Sequence, residues 1–266
     1  MHVIVCIKQV PDSQKVKVDP KTGVLLRSSA DTKMNPYDLY ALETAIRIKE
    51  QTGCRLTALS MGPLSAKEVI AEAMAMGVDD GYLLSDRRFG GADVKATGYT
   101  LAQGIKHIDE DYDLIICGRQ TTDGDTAQVG PSVSEYLGIP HVSWCRQIAE
   151  ISEKEITVKQ NLNEYLLTVA MEYPCLITVE KGIYQPRLPS YRLQKASEKK
   201  EIRIITLDDL PDNDPDHYGA SGSATQVEGI FEPNSELISE VYDGDGLSSA
   251  RQLYDKLVSE KFVEVR

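Results

Sequence analysis

The chain has 266 residues, enough for one substantial core or a core with an appendage, because single domains reach about 250 residues before they split. Hydrophobic content of 41% and charged content of 26% are those of a globular protein, and no run of about 18 apolar residues offers a membrane span. A formal charge of −12 argues against nucleic acid or an anionic membrane as the main partner, since both require clustered Lys and Arg.

The opening MHVIVCIKQV carries an apolar run too short for a signal peptide's core, with no basic leader and no small-residue cleavage site. It reads as a first strand, and a cytoplasmic location is expected. Short apolar runs then alternate with helical patterns: His2 to Ile7, Arg55 to Ser60, Gly81 to Ser85 and Asp113 to Cys117. That alternation is the signature of βαβ units and predicts an α/β fold, a mostly parallel sheet with flanking helices. Asn35 and Pro36, with Asp38 behind them, open the first helix, whose Leu39, Leu42 and Ile46 share a face. Ser65 and Glu68 have the spacing of a capping box for a second helix, which Gly77 closes. A third helix is expected over about 92–107. A fourth follows a long polar loop, with Val133, Tyr136 and Leu137 at helical spacing and Gly138 and Pro140 as its stop.

From Glu155 to Val179 three extended segments, separated by Asn161 to Asn163 and by Tyr173-Pro174, predict antiparallel strands. Lys181 to Arg192 (KGIYQPRLPSYR), with two prolines, reads as an exposed loop. Asp208 to Thr225 is dense in Asp, Pro, Gly and Ser, and is expected to bury little apolar surface. It leads to a helix over Ser248 to Lys261, where Ala250, Leu253 and Leu257 form a stripe. The expected division is an α/β domain over 1–195 and a linker with a C-terminal arm over 196–266. A lone helix on a polar tether needs something to dock on, and a partner subunit is the favoured choice.

The strand Asp113 to Cys117 delivers the loop Gly118 to Pro131 (GRQTTDGDTAQVGP) to a carboxyl edge of the sheet, where open α/β sheets bind ligands. Gly118, Gly124 and Gly130 permit close backbone approach, and the amides opening the next helix, between Thr126 and Ser132, would face an anion. Thr126, Gln128 and Ser132 can add hydrogen bonds. Asp123 and Asp125 would repel phosphate, so they are expected to accept backbone hydrogens within the loop or to bind ribose hydroxyls. The loop has neither Gly-Lys-Ser/Thr nor G-x-G-x-x-G, so on pattern alone it fits either an anion site or a plain connection. Met34 to Asp38, Ser60 to Pro63 and Cys6 to Lys8 converge on the same edge if the strands are parallel, which suits an adenosine pocket. The simpler role for Asn35 is capping. Cys6, Cys54, Cys117, Cys145 and Cys175 lie far apart with no C-x-x-C pair, the four histidines are scattered, and the C-terminal acids lack EF-hand spacing, so no metal site is expected.

Taken in order, VIVCIKQVPD, NPYDLYALETAIRIKE, ALSMGP, AMAMGVDDGYLLSD and DLIICGRQTTDGDTAQVGPSVSEYLGIP resemble the electron transfer flavoprotein β subunit across nearly the whole chain. The resemblance implies an adenine-nucleotide α/β domain paired with an α subunit that carries its own FAD. Ordinary members hold AMP in the β subunit. Electron-bifurcating members hold a second FAD there, and DGDTAQVGP is similar to their form of the loop. On this resemblance Cys6 lines the adenosine, Asn35, Pro36, Tyr37, Asp38, Ser60 and Met61 flank it, and Asp123, Gly124, Asp125, Thr126, Ala127, Gln128, Val129, Gly130, Pro131 and Ser132 wrap the phosphates. Cys6 and Met61 depart from some relatives in residue type. Ile183 matches the place where family members present an apolar residue to a partner dehydrogenase, and Gly219 to Val227 with the helix behind it resembles the tail that contacts the α subunit.

The function this implies is that of an electron-transfer subunit within an NADH-dependent oxidoreductase complex. NADH gives a hydride to the FAD held partly by this chain; one electron passes to ferredoxin, the other through the α-subunit FAD to a flavin-dependent dehydrogenase of acyl-CoA or 2-hydroxy-acid type. No side chain needs to act as nucleophile or general base, so no catalytic residue is assigned. The alternatives are a non-bifurcating β subunit with structural AMP and an ATP-binding signalling protein of similar fold.

Overall fold

The computed structural model describes residues 1–12, 32–109, 111–229 and 239–263. The chain divides into two compact units, Met1–Gly229 and Ile230–Arg266.

In the first unit, strand β1 (His2–Cys6) is buried at every position. Its Val3 and Val5 enter one hydrophobic core, and Ile4 and Cys6 enter another. Alternation along the strand therefore feeds both faces of a sheet that is covered on both sides. Strands β2 (Gln9–Pro11) and β3 (Thr32–Met34) form a separate antiparallel pair. Helix α1 (Pro36–Thr52), β4 (Arg55–Met61), α2 (Lys67–Met76), β5 (Asp80–Leu84), α3 (Val94–Ile108), β6 (Leu114–Gly118) and α4 (Val129–Leu137) then alternate as predicted. β7 (His141–Ile151), β8 (Glu155–Asn161), β9 (Leu166–Glu172) and β10 (Cys175–Val179) follow, then α5 (Tyr191–Ser197), β11 (Ile202–Ile205) and α6 (Gly219–Gly222). The main sheet runs β11-β5-β4-β1-β6-β10-β7-β8-β9, parallel from β11 to β7 and antiparallel over β8 and β9. Ala41 and Leu42 of α1 and Ile70 of α2 pack into one core, while Leu101 and Ile105 of α3 and Val133 of α4 pack into the other. The fold is α/β, a mostly parallel sheet between two helical layers.

Several local expectations are corrected. β10 is not part of an antiparallel meander: it inserts between β6 and β7 and is parallel to both. Its five residues are all buried, and the unbroken apolar run CLITV is what a parallel interior strand requires. Ser65 and Glu68 form no capping box, because Ser65 lies in a 3-10 turn before α2 and its hydroxyl donates to Gln9 Oε1 at 2.9 Å. Periodicity did not signal β7, α5 or β11. The segment 208–225 also buries more than its composition suggests: Leu210 and Tyr218 lie in a core, beside Leu207 just before it. Its acids are absorbed locally, Asp209 by Thr206 and Asp214 by the Asp216 amide, so a polar sequence still places two apolar anchors.

In the second unit, α7 (Gly246–Ser259) starts two residues before the expected Ser248, capped by Asp245, which accepts the Ser248 amide at 2.8 Å. Leu247, Leu253, Tyr254 and Phe262 are exposed. Among the described residues no helix is long and apolar enough to cross a membrane.

Candidate functional site

Strands β4, β1, β6 and β10 are neighbours and parallel, so their ends at Met61, Cys6, Gly118 and Val179 share one edge of the sheet. The predicted site residues on these strands meet there. Cys6 pairs in register with Cys117 of β6 and Leu59 of β4. The Cys117 thiol is pushed well above its ordinary value by a hydrogen bond with Cys6 and by burial, which keeps it protonated and inert. Ser60 is fully buried, and its hydroxyl has no hydrogen-bond partner among the described residues.

Asn35 precedes α1, but its side chain makes no cap bond. Fully buried, it donates from Nδ2 to Gln120 O at 2.8 Å and accepts the Thr122 amide at 3.3 Å. The loop after β6 has unpaired backbone groups, and one buried amide side chain satisfies a donor and an acceptor at once. Asn35 is thus a tie between α1 and the loop, which corrects the capping role. Asp38 accepts the Lys8 amide at 2.8 Å, and Lys8 Nζ reaches both oxygens of Asp123 at 2.8 and 2.7 Å. Asp125 is engaged by the Gln120 side-chain amide. Both loop acids are therefore held by side chains, a role besides the backbone amides or ribose hydroxyls expected of them. The tie from Lys8 to Asp123 was missed because nothing local in the sequence marks a contact across 115 residues.

The three loop glycines have different reasons. A Cβ on Gly118 would lie 2.3 Å from Asp38 Oδ1 and 2.8 Å from the Tyr37 carbonyl carbon, so the start of α1 demands glycine there. A Cβ on Gly130 would lie 2.5 Å from Thr178 Cγ2, so β10 demands it. Gly124 is outside the left-handed region, and its nearest obstacle is Thr121 Oγ1 at 3.3 Å, so the protein's own packing does not explain it. The strained positions are instead Asp125 and Ala127, with φ of 53° and 56°. Each costs about 1 kcal/mol outside glycine, and such strain concentrates at ligand-binding loops.

Ser132 donates its amide to Gln128 O at 3.0 Å and Pro131 has none, which leaves the Val129 and Gly130 amides at the N-terminus of α4 without helical partners. Thr126 and Gln128 are exposed beside them; Pro36, Tyr37 and Met61 are half-buried at the edge. Ser132 is turned toward α3, since a Cβ on Gly98 would meet its Oγ at 2.2 Å.

Asp38 is the titratable group of this edge. Burial raises its carboxyl from the ordinary 3.8 to about 7, against the opposing hydrogen bonds of Asn35 and the Lys8 amide. The folded state holds this proton up to about pH 7 and the unfolded chain releases it near 3.8, so the contribution to stability is full below about pH 4 and lost as the pH rises through 7. Asp38→Asn keeps an acceptor for Lys8 and removes the titration. Urea unfolding should show the variant gaining on the parent by on the order of 3 kcal/mol between pH 4 and 8; parallel curves would contradict it.

Ile183 is partly buried against the core, in a loop held by Arg187 to Glu43 and Glu50. The same stretch leaves Leu188 87% and Tyr191 74% exposed.

Residues 22–210 match the family described as the electron transfer flavoprotein domain. The chain belongs to the electron transfer flavoprotein family. It is 40% identical to the electron transfer flavoprotein subunit beta of Megasphaera elsdenii over 99% of this chain and 100% of that protein. It is 39% identical to the caffeyl-CoA reductase-Etf complex subunit CarD of Acetobacterium woodii, over 97% and 98% of the two chains. With the acryloyl-CoA reductase electron transfer subunit gamma of Anaerotignum propionicum it shares 36% identity over 99% and 100%. Among electron transfer flavoproteins it stands with the β subunits, and its role is electron transfer.

Proposed function

We propose that this β subunit binds FAD on the sheet edge just described and takes part in electron bifurcation from NADH, as one half of a heterodimer with an α subunit. The observation that carries the reading is the loop itself: Gly124 with only the Thr121 hydroxyl near its Cβ position, Asp125 and Ala127 held in a left-handed conformation, and the Val129 and Gly130 amides without partners among the described residues. Those two amides and the dipole of α4 suit a phosphate group. The unpartnered Ser60 hydroxyl fits a ligand at the adenosine end, beside Cys6 and Met61. When bound, FAD would supply hydride acceptance from NADH and one-electron transfer onward.

The chain's own residues perform the holding. Asn35 and Lys8 fix the first half of the loop, and α4 aims its amides from the second half. Lys8 offsets the charge of Asp123, so the loop meets phosphate with one acid already paired. The carriers on either side are ferredoxin, as the low-potential acceptor, and a flavin-dependent dehydrogenase. An acyl-CoA type is favoured because two relatives are named for CoA-thioester reductases. The loop carrying Ile183 and the exposed Leu188 is the face offered to that dehydrogenase, and the second unit, with the apolar side chains of α7, is the part of the expected 196–266 arm left to meet the α subunit, since β11 and Leu207 to Tyr218 belong to the first unit.

Co-purified with its α subunit, the heterodimer is expected to yield two FAD and no AMP on acid release and chromatography. One FAD with one AMP would overturn the reading in favour of a non-bifurcating subunit.

A further inference from the structure

We infer that Arg119, laid over Trp144 and fixed by Glu180, is the platform that receives the isoalloxazine end of the dinucleotide; the inference rests on the FAD reading above. Arg119 is the first residue after β6, so it leaves the sheet at the root of the phosphate loop. Its guanidinium lies 4.9 Å from the centroid of the Trp144 ring. Its terminal nitrogen reaches Glu180 Oε1 at 3.2 Å, and Glu180 is 6% exposed and takes a second hydrogen bond from Asn161 Nδ2 at 3.0 Å. Arg119 Nε is buried and has no partner among the described residues, while the side chain as a whole is 37% exposed. One side of the guanidinium is thus occupied and part of it faces outward.

The strand is bent to make this arrangement. Trp144 has a φ of 60°, a conformation that bulky residues rarely adopt. Its amide donates to Thr178 Oγ1 at 3.0 Å, beside the point where the β7–β10 register shifts. A surface ion pair needs no such strain, and strained backbone gathers at ligand sites.

Order along the sheet supplies the second argument. From the adenosine end, the strands run β4, β1, β6, β10, β7. Neighbouring strands are about 4.8 Å apart, so Trp144 on β7 stands about 14 Å from β1, with the phosphate loop between them. A mononucleotide ends at the loop. A dinucleotide continues, and the next structure along the edge is this stack. A planar heteroaromatic ring with carbonyl oxygens suits it, since a guanidinium both stacks and donates. A fixed positive charge there favours the negatively charged reduced ring, so Arg119 would raise that flavin's reduction potential.

The test uses the purified αβ heterodimer and FAD. Arg119→Gln is expected to weaken retention of one of the two flavins about tenfold and to lower that flavin's reduction potential, leaving the other flavin unmoved. Arg119→Lys should keep the higher potential and lose part of the affinity. Trp144 is the only tryptophan of this chain, so the fluorescence lost on Trp144→Phe isolates its signal, which added FAD should quench in the parent. Trp144→Phe also serves if Arg119→Gln fails to fold. Two flavins whose retention and potentials are unchanged in all three variants would overturn this inference and leave the FAD reading standing. One flavin with AMP would overturn both.

Discussion

Gly118→Ala is expected to strip the β subunit of its nucleotide while leaving a folded chain. The added Cβ would sit 2.3 Å from Asp38 Oδ1, 2.8 Å from the Tyr37 carbonyl carbon and 3.0 Å from the Asp38 amide nitrogen. Two of those atoms are backbone at the start of α1, so no rotamer change relieves the contact, and either β6 or α1 has to move. Overpacking of this kind costs about 1–3 kcal/mol. Movement of α1 would pull Asn35 from Gln120 and Asp38 from Lys8, the ties that shape the loop. Both losses fall on the bound form, so nucleotide retention after gel filtration should drop at least about tenfold, equivalent to 1.4 kcal/mol. Gly53→Ala is the control. It places alanine at a positive φ, 71°, which Gly118 does not have, but nothing lies within 4 Å of its Cβ. It should cost about 1 kcal/mol of stability and leave the nucleotide in place. Equal retention in the two variants would refute the role given to Gly118.

The contrast between Gly118 and Gly124 shows how far the sequence could be read. Strand edges and helix faces were legible because their signals are local: HVIVC and DLIIC are buried runs, and Leu42 and Ile46 share a face of α1. The position of the loop at the carboxyl edge followed from the parallel order alone. The purpose of each loop residue did not, since Gly118 answers to Asp38 and Gly130 to Thr178, partners 80 and 48 positions away in sequence. Asn35 illustrates the same limit. An Asn before Pro at a helix start reads as a cap, and only the folded chain brings Gln120 within reach of its side chain. Buried polar ties across the sheet edge are where local reasoning fails, because their energetics depend on partners supplied by topology. The family resemblance pointed to the family by another route, through the order of whole segments.

Arg187→Met should destabilise the subunit more than any ordinary surface substitution, by about 2–4 kcal/mol in urea unfolding. Glu43 is 1% exposed, and Arg187 gives it the backbone amide at 3.1 Å, Nε at 2.8 Å and a terminal nitrogen at 3.1 Å. Burial alone would raise the Glu43 carboxyl, yet hydrogen bonds from Arg187 and Arg47 outweigh it and hold it below its ordinary 4.5. The buried carboxylate is tolerable because it is paired. Removing the guanidinium leaves Arg47, whose Nε stays at 2.8 Å, so the loss should fall short of that for a fully orphaned charge. A carboxyl held low stabilises the fold above its unfolded value and loses that contribution as pH falls through the folded one. The gap between parent and Arg187→Met should therefore be widest near neutrality and narrow as the pH falls below the ordinary 4.5 and Glu43 takes up its proton. Glu43→Gln added to Arg187→Met should cost less than the sum of the single changes, since the two residues share one interaction. A loss under about 0.5 kcal/mol, or strictly additive effects, would show that the pair contributes no more than an exposed one. Because Arg187 lies one residue before Leu188, the same substitution should also speed amide exchange across 181–190, the loop proposed to meet the dehydrogenase, without changing nucleotide content.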